Sequence, residues 1–231
     1  MTIASHLKNL SKSHRKVVLL PKRSELLAEF FGIMMGDGGI NNAWQANITL
    51  NAVADDEYAI YVVRVIEKLF GVVPAVRKRK TRDALVISLA SITIVDFLVR
   101  EGLCRGNKLK GGLAIPTWIL RSRKYRIACV RGLMDTDGGL YIHRHKVGQY
   151  SYENIGLCFT SFSPFLLGQV AEIFIECGIV PHVSGQGRRL YLYSHAAVKR
   201  YLDKVGTSNT RLERVFSEWK KLEIRSSKNP V

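Results

Sequence analysis

The sequence predicts an α+β protein in which one α-β-β-α-β-β-α unit is written twice, giving two pseudo-symmetric halves. Three observations predict it. Residues 28–40, "AEFFGIMMGDGGI", superpose on residues 128–140, "ACVRGLMDTDGGL": Ala28 meets Ala128, Gly32 meets Gly132, Gly36 meets Thr136 and Asp37 meets Asp137. After each copy the hydrophobic period switches between strand-like and helix-like in the same order. A length of 231 residues, 47% of them hydrophobic, is enough for two small halves with a buried core.

The elements follow in order. A basic arm occupies residues 1–23. The first half, 24–122, opens with the repeated helix and continues with the alternating strand "WQANITLN". Next come the helix "DDEYAIYVVRVIEKLFG" with its glycine stop at Gly71, the hairpin "PAVRKRKTRDALVISLA" and the helix "SITIVDFLVREGL". The polar joint "LRSRKYR" leads into the second half, 123–222. There the repeated helix is followed by a hairpin around Gly148 ("YIHRHKV", "ENIGLCFTS"). The helix "SPFLLGQVAEIFIECG" stops at Gly178, and the hairpin "PHVSGQGRRLYLYSH" and helix "AAVKRYLDKVG" complete the unit. Residues 223–231 read as a frayed tail.

Charge narrows the partner. Thirty-five Lys and Arg against 19 Asp and Glu give a net charge of +16, which suits a polyanion. No run of about 18 apolar residues occurs, so no membrane span is expected. No apolar signal-peptide core is present, which points to an intracellular, non-secreted protein. The cysteines, Cys104, Cys129, Cys158 and Cys177, form no CxxC pair and read as reduced core thiols. The first 24 residues hold six Lys or Arg and no acid, fitting either a transit-like leader or an arm on a phosphate backbone.

The repeated helix carries two signals. Ala28, Gly32 and Gly36 recur every fourth residue and share one face, as do Ala128, Gly132 and Thr136. Such a stripe lets another backbone come close, and the natural partner of each stripe is the other. Asp37 and Asp137 then follow at the two helix ends. Parallel packing under a pseudo-twofold brings both carboxylates to one point, where the helix C-termini add negative charge and the Gly36 and Thr136 carbonyls lack partners. A hard divalent cation, Mg²⁺ or Mn²⁺, would relieve that cluster, with Asp37, Asp137, Gly36 and Thr136 as its ligands. Facing a nucleic acid, it would suit phosphodiester hydrolysis.

Alternation selects a polar sheet face. With Ala46, Ile48 and Leu50 inward, Gln45, Asn47, Thr49 and Asn51 point outward. Arg77, Lys78, Arg79, Lys80 and Arg82 form a basic arm beside them. In the second half His143, Arg144, His145 and Lys146 join Arg189, Tyr191 and Tyr193. Arg, Asn and Gln are the types that read base edges, and Lys suits phosphates.

The stretches "FFGIMMGDG" (30–38) and "VRGLMDTDG" (130–138) resemble the nonapeptide signature of the LAGLIDADG homing endonucleases. Both copies, their spacing of about 100 residues and the element order fit a single-chain, two-motif, monomeric member. The resemblance implies that the motif helices pack at the centre and that two antiparallel sheets form a DNA-binding saddle over a long asymmetric site. It implies that Asp37 and Asp137 bind divalent metal and that each active site cuts one strand of double-stranded DNA across the minor groove. It also implies a basic residue in each site. Lys108 in "GNKLKGGLAIP" fills that role in the first half; in the second, Thr210 stands opposite Lys108 and Arg211 lies beside it. Asp135 has Met35 opposite it and reads as a structural, helix-end polar residue. Intron-encoded homing in the compartment holding the target genome follows from the family. Some relatives act instead as intron RNA maturases or non-cleaving DNA- or RNA-binding proteins, so the protein's own intron RNA is an alternative partner.

Overall fold

The computed structural model describes residues 18–79, 83–184 and 186–228; most of the basic arm, with Lys80 and Arg82, lies outside the described residues. Helix α1 (Glu25–Gly36) starts where the Ser24 hydroxyl accepts a hydrogen bond from Leu27 N at 3.2 Å. From Leu27 to Met35 every residue is buried, so this helix has no solvent face. Strand β1 (Gly38–Ile40) leaves directly from its end, followed by β2 (Gln45–Asn51) and α2 (Asp56–Phe70), which stops at the left-handed Gly71. Strands β3 (Ala75–Lys78) and β4 (Ala84–Ala90) and helix α3 (Ile92–Arg100) complete the first unit.

The short α4 (Thr117–Leu120) leads into α5 (Arg123–Asp137), and the order repeats. Strands β5 (Gly138–Val147) and β6 (Tyr150–Thr160) precede α6 (Pro164–Glu176). Strands β7 (His182–Ser184) and β8 (Arg189–Leu192) precede α7 (His195–Lys204). The two antiparallel sheets have the same topology, β1-β2-β4-β3 and β5-β6-β8-β7. One hydrophobic core runs through both halves and includes Ile48, Ile87, Phe70, Leu157, Phe159 and Phe174. The expected α+β architecture of two matched units is therefore present.

The C-terminus differs from expectation. Helix α8 (Thr210–Lys228) runs through the boundary at 222, so residues 223–228 are helical rather than frayed. Its anchor is Trp219, which is buried and whose indole N–H donates to Glu153 O on β6 at 3.0 Å. Leu212, Val215, Phe216 and Trp219 form one apolar stripe along this charged helix and pack it on the core. The four cysteines are free, and among the described residues no helix is long and apolar enough to cross a membrane.

Candidate active site and nucleic-acid interface

The site begins at the seam between α1 and α5. A Cβ placed on Gly32 would stand 2.1 Å from Cys129 O, and one on Gly132 would stand 2.2 Å from Glu29 O. Neither position has room for any side chain, because backbone meets backbone. A Cβ on Gly36 would stand 2.0 Å from Thr136 Oγ1. Ala28 and Ala128 are fully buried one turn earlier. The predicted interface residues thus sit together, and the glycines are there for close approach rather than flexibility.

Asp37 caps α1 and Asp137 is the last residue of α5. The chain then turns straight into a strand, pressing Gly38 and Gly138 onto the last helical turn. A Cβ at these positions would lie 2.6 Å from Met34 O and 2.4 Å from Met134 O. Since Gly38 and Gly138 open the first strand of each sheet, each acid lies where its sheet begins. Asp137 Oδ2 would be 3.4 Å from a Cβ on Gly36, so this carboxylate lies against the end of the opposite helix.

The electrostatics fit that crowding. Burial, then Asp137, then Asp55 push the Asp37 carboxyl up to about 7, against the opposing pull of Lys108 and Arg211. Burial also raises Asp137, with Lys108 opposing. By surface area Asp37 is half-buried while Asp137 is exposed, so the case for a strained charge rests on Asp37. Among the described residues neither carboxylate has a hydrogen-bond or ion-pair partner, and no group of three His, Cys, Asp or Glu side chains converges. Two unpartnered carboxylates at two helix ends fit a hard divalent cation that takes its remaining oxygens from carbonyls, water or a ligand phosphate. Gly36 O and Thr136 O are the carbonyls nearest in sequence. The Thr136 hydroxyl is not available, since it donates within its helix to Gly132 O and Leu133 O at 3.0 Å.

Lys108 reaches this point from an Asx turn. Asn107 Oδ1 accepts from Leu109 N at 3.0 Å and Lys110 N at 3.2 Å. Lys108 Nζ then donates to Met35 O at 2.8 Å and to Gly36 O, covering the C-terminal carbonyls of α1. Burial lowers the Lys108 pKa, and Asp137 and Asp37 oppose that shift.

The second half builds the same turn at Asn209, whose Oδ1 accepts from Arg211 N at 3.0 Å. Thr210 therefore stands where Lys108 stands, with no charge. Asn209 Nδ2 donates to Asp135 O at 2.9 Å, the carbonyl equivalent to Met35 O. Arg211 sends its Nε to Asp55 Oδ1 at 3.0 Å. Rather than facing the acids alone, it is an ion-paired group whose partner, Asp55, the sequence reading missed because it looked like an ordinary acidic helix start.

Asp135 is buried, receives the Thr207 hydroxyl and accepts from Ser208 N at 2.8 Å. Glu29 is also buried. It accepts from Tyr61 Oη at 2.6 Å, Ser208 Oγ at 2.7 Å and both Nε and Nη2 of Arg131 at 3.1 and 2.9 Å. These groups hold the loop before α8 against the central helices and do not reach the acid pair.

The sheet faces opposite the helices carry the predicted readers. In β2, Ala46, Ile48 and Leu50 are buried while Gln45, Asn47, Thr49 and Asn51 share the other face. Two of these are already engaged. Asn47 Oδ1 accepts from Ser88 Oγ at 2.7 Å, and Asn51 Oδ1 accepts from Val53 N and Ala54 N at 2.9 Å, closing the turn into α2. Arg77 pairs with Val86, which pairs in turn with Thr49, so the three share one face, and Arg79 is exposed beyond the strand. Lys78 pairs with Leu85 and points to the other face.

The "HRHK" run divides likewise. His143 opposite Asn154 and His145 opposite Tyr152 share the outer face, their rings 5.2 Å apart. Arg144 lies on the reverse face, bonded to Glu153 at 2.9 Å, and Lys146 follows its parity. Consecutive strand residues cannot share a face when side chains alternate; Arg144, Lys146 and Lys78 are exposed, but not on the sheet face that carries His143, His145 and Arg77. Arg189, Tyr191 and Tyr193 are on the expected face, with the two tyrosines stacked 5.2 Å apart. Tyr141 and Asn154 were missed. They line a cleft of about 250 Å³ with His143, Gly156 and Tyr193, and Tyr141 lies over Gly156 where a Cβ would come within 2.4 Å of its ring.

No protein-family model matches the sequence, and no curated protein matches it. Among solved structures the chain is similar to the I-LtrWI LAGLIDADG homing endonuclease bound to target DNA. Identity is 10%, the TM-score is 0.59, and the match covers 88% of this chain and 91% of that one. Meganuclease I-SmaMI bound to uncleaveable DNA gives 11% identity, a TM-score of 0.58 and coverage of 90% and 91%. Mesophilic variants of the homing endonuclease I-DmoI give 15%, 0.51 and coverage of 80% and 97%. The chain has the LAGLIDADG homing endonuclease fold.

Proposed function

We propose that this protein is a site-specific homing endonuclease that hydrolyses both strands of double-stranded DNA across the minor groove of a long asymmetric site. The observation that carries the reading is the pair Asp37 and Asp137, whose carboxylates have no partner among the described residues, at the ends of two helices whose backbones touch, where both sheets begin. A divalent cation, Mg²⁺ or Mn²⁺, held by the two carboxylates and the Thr136 carbonyl, with Gly36 O joining only if it is shared with the Lys108 ammonium, would supply Lewis-acid chemistry and an activated water. Lys108 places a fixed ammonium beside the acids, where it can offset charge developing on a phosphate. Arg211 supplies the second positive group from the opposite half. The outward residues of β2 and β8, with the net charge of +16, support binding along a duplex.

The protein would act as a monomer, intron-encoded, in the compartment that holds its target genome. A cleavage screen of a randomised DNA library with Mg²⁺ tests this and reports the site. Asp37→Asn and Asp137→Asn should each slow cleavage of at least one strand by about 100-fold or more, with DNA affinity nearly unchanged. If both variants cut like the parent protein, the mechanism is wrong. Splicing of the parent intron without any DNA cleavage would instead favour an RNA maturase.

A further inference from the structure

Asp55 occupies the N-cap position of α2 but does not cap it; no side-chain bond runs from its carboxylate to the helix N-terminus. Four other helices use this position differently, while Ser122 before α5 makes no cap bond either. Ser24, Ser91, Ser163 and Ser194 each accept from the backbone of their own helix, and Ser163 is the matching residue of the second half. An N-cap acid normally satisfies orphan amides. Here the carboxylate is turned away, accepting from Asn209 Nδ2 at 3.0 Å and from Arg211 Nε at 3.0 Å, both from the other half of the molecule.

The geometry at the receiving end is just as specific. The Asn209 turn repeats the Asn107 turn, but its next residue is Thr210 where the first half has Lys108. The cation that this turn itself carries is the following residue, Arg211, at the half-buried start of α8, and Asp55 decides where its side chain points. Asp55 draws it inward. The Asp55 side chain is 12% exposed and that of Arg211 32%, so the pair is partly shielded from water. Both charges also act on Asp37.

We propose that Asp55 is a positioning residue that clamps Arg211 beside the acid pair, so that a guanidinium serves the half whose turn lacks a lysine. The inference rests on the endonuclease reading. The role assigned to Asp55 is exerted through Arg211, beside the direct effect of its charge on Asp37. The planar guanidinium suits the task, because its Nε can hold the carboxylate while its two terminal nitrogens remain for a phosphate.

The experiment uses the full-length protein on a supercoiled plasmid carrying its site, with the two strands labelled separately. Arg211→Ala should slow one strand by on the order of 100-fold and let nicked plasmid accumulate. Asp55→Ala should slow the same strand comparably, leave the other strand and DNA affinity within about twofold, and add nothing to Arg211→Ala in the double variant. Thr210→Lys should restore the slow strand in the Arg211→Ala background. Should Asp55→Ala fail to fold, Asp55→Asn keeps the shape and removes the charge. Equal slowing of both strands, or an unchanged strand ratio, overturns the proposal. A second readout needs no cleavage. In metal-free, DNA-free protein the Arg211 Nε–H resonance should be protected from exchange and lose that protection in Asp55→Ala; an unchanged resonance also overturns the clamp. A parent protein that cuts no DNA removes the endonuclease reading, and the resonance then decides the clamp alone.

Discussion

The two flanks of the central helix pair have the same backbone and opposite chemistry. The pseudo-twofold sets Glu29 against Cys129, Arg131 against Phe31 and Asp135 against Met35. One flank therefore holds a buried ionic network: Glu29 with Arg131, Tyr61 and Ser208, and Asp135 with Thr207 and Ser208. The other holds Cys129, Phe31 and Met35, all buried, with Phe31 edge-on to Trp118 at 5.4 Å. Repetition fixed the contact between backbones. It left each flank free to be filled by whatever is internally complete, because a buried polar set is tolerated when every member is bonded, and an apolar set needs only volume.

The largest expected effect breaks the polar flank. Glu29→Ala leaves Arg131 and Ser208 without their shared acceptor and should cost about 3–5 kcal/mol in denaturant unfolding. A loss below about 1 kcal/mol would mean that water replaces the carboxylate and the flank is not dry. Gly32→Ala and Gly132→Ala come next. In an ordinary helix this change gains about 0.5–1 kcal/mol; here both should lose about 1–3 kcal/mol, and equally, since the two clashes are the same. Unequal losses would show that the seam is less symmetric than its backbone.

Cys129→Ala, on the apolar flank, should cost about 1 kcal/mol, the contrast with Glu29→Ala being the point of comparison. The acid pair supplies a comparable effect of opposite sign. The native Asp37 carboxyl, near 7 against an ordinary 3.8, binds a proton that the unfolded chain has released. Its contribution is therefore most favourable below about pH 4 and declines as pH rises through 7. Asp37→Asn should remove that decline and stabilise the metal-free protein by about 1 kcal/mol at pH 8, with no gain at pH 4. Thermal unfolding in a chelator at both values checks it; equal shifts at the two would refute the charge assignment.

Much of this was legible in the sequence because it is periodic. The glycine stripe, the doubled acid, the order of elements and the alternation of Gln45 to Asn51 all follow from spacing. What spacing could not show was direction at contiguous runs and partnership across halves. "HRHK" and "RKRK" look like basic patches until strand parity turns Arg144, Lys146 and Lys78 to the other face. Asp55 looked like a helix start, since nothing local says that its partners lie more than 150 residues away. Glu29 and Asp135 gave no sign of sharing Ser208, because their meeting depends on how the loop before α8 is laid down. Helix α8 was cut short because its polar composition resembles a tail, while the stripe of Leu212, Val215, Phe216 and Trp219 docks it.

The unlike flanks also act as a matching key. Suppose two copies of the first half met through their glycine stripes. Each Glu29 would find Phe31 where Arg131 belongs, and two carboxylates would be buried with the Tyr61 hydroxyl of their own half but no cation to answer them. Two second halves would bring Arg131 against Cys129 and remove its Glu29 partner, a smaller penalty because Arg131 is more exposed and keeps Asp135 of its own helix nearby. Stripes of small residues recognise any copy of themselves, but the charges recognise only their complement. The chain thereby selects its own other half, and exchange of halves between molecules is discouraged by several kcal/mol without any change in the seam itself.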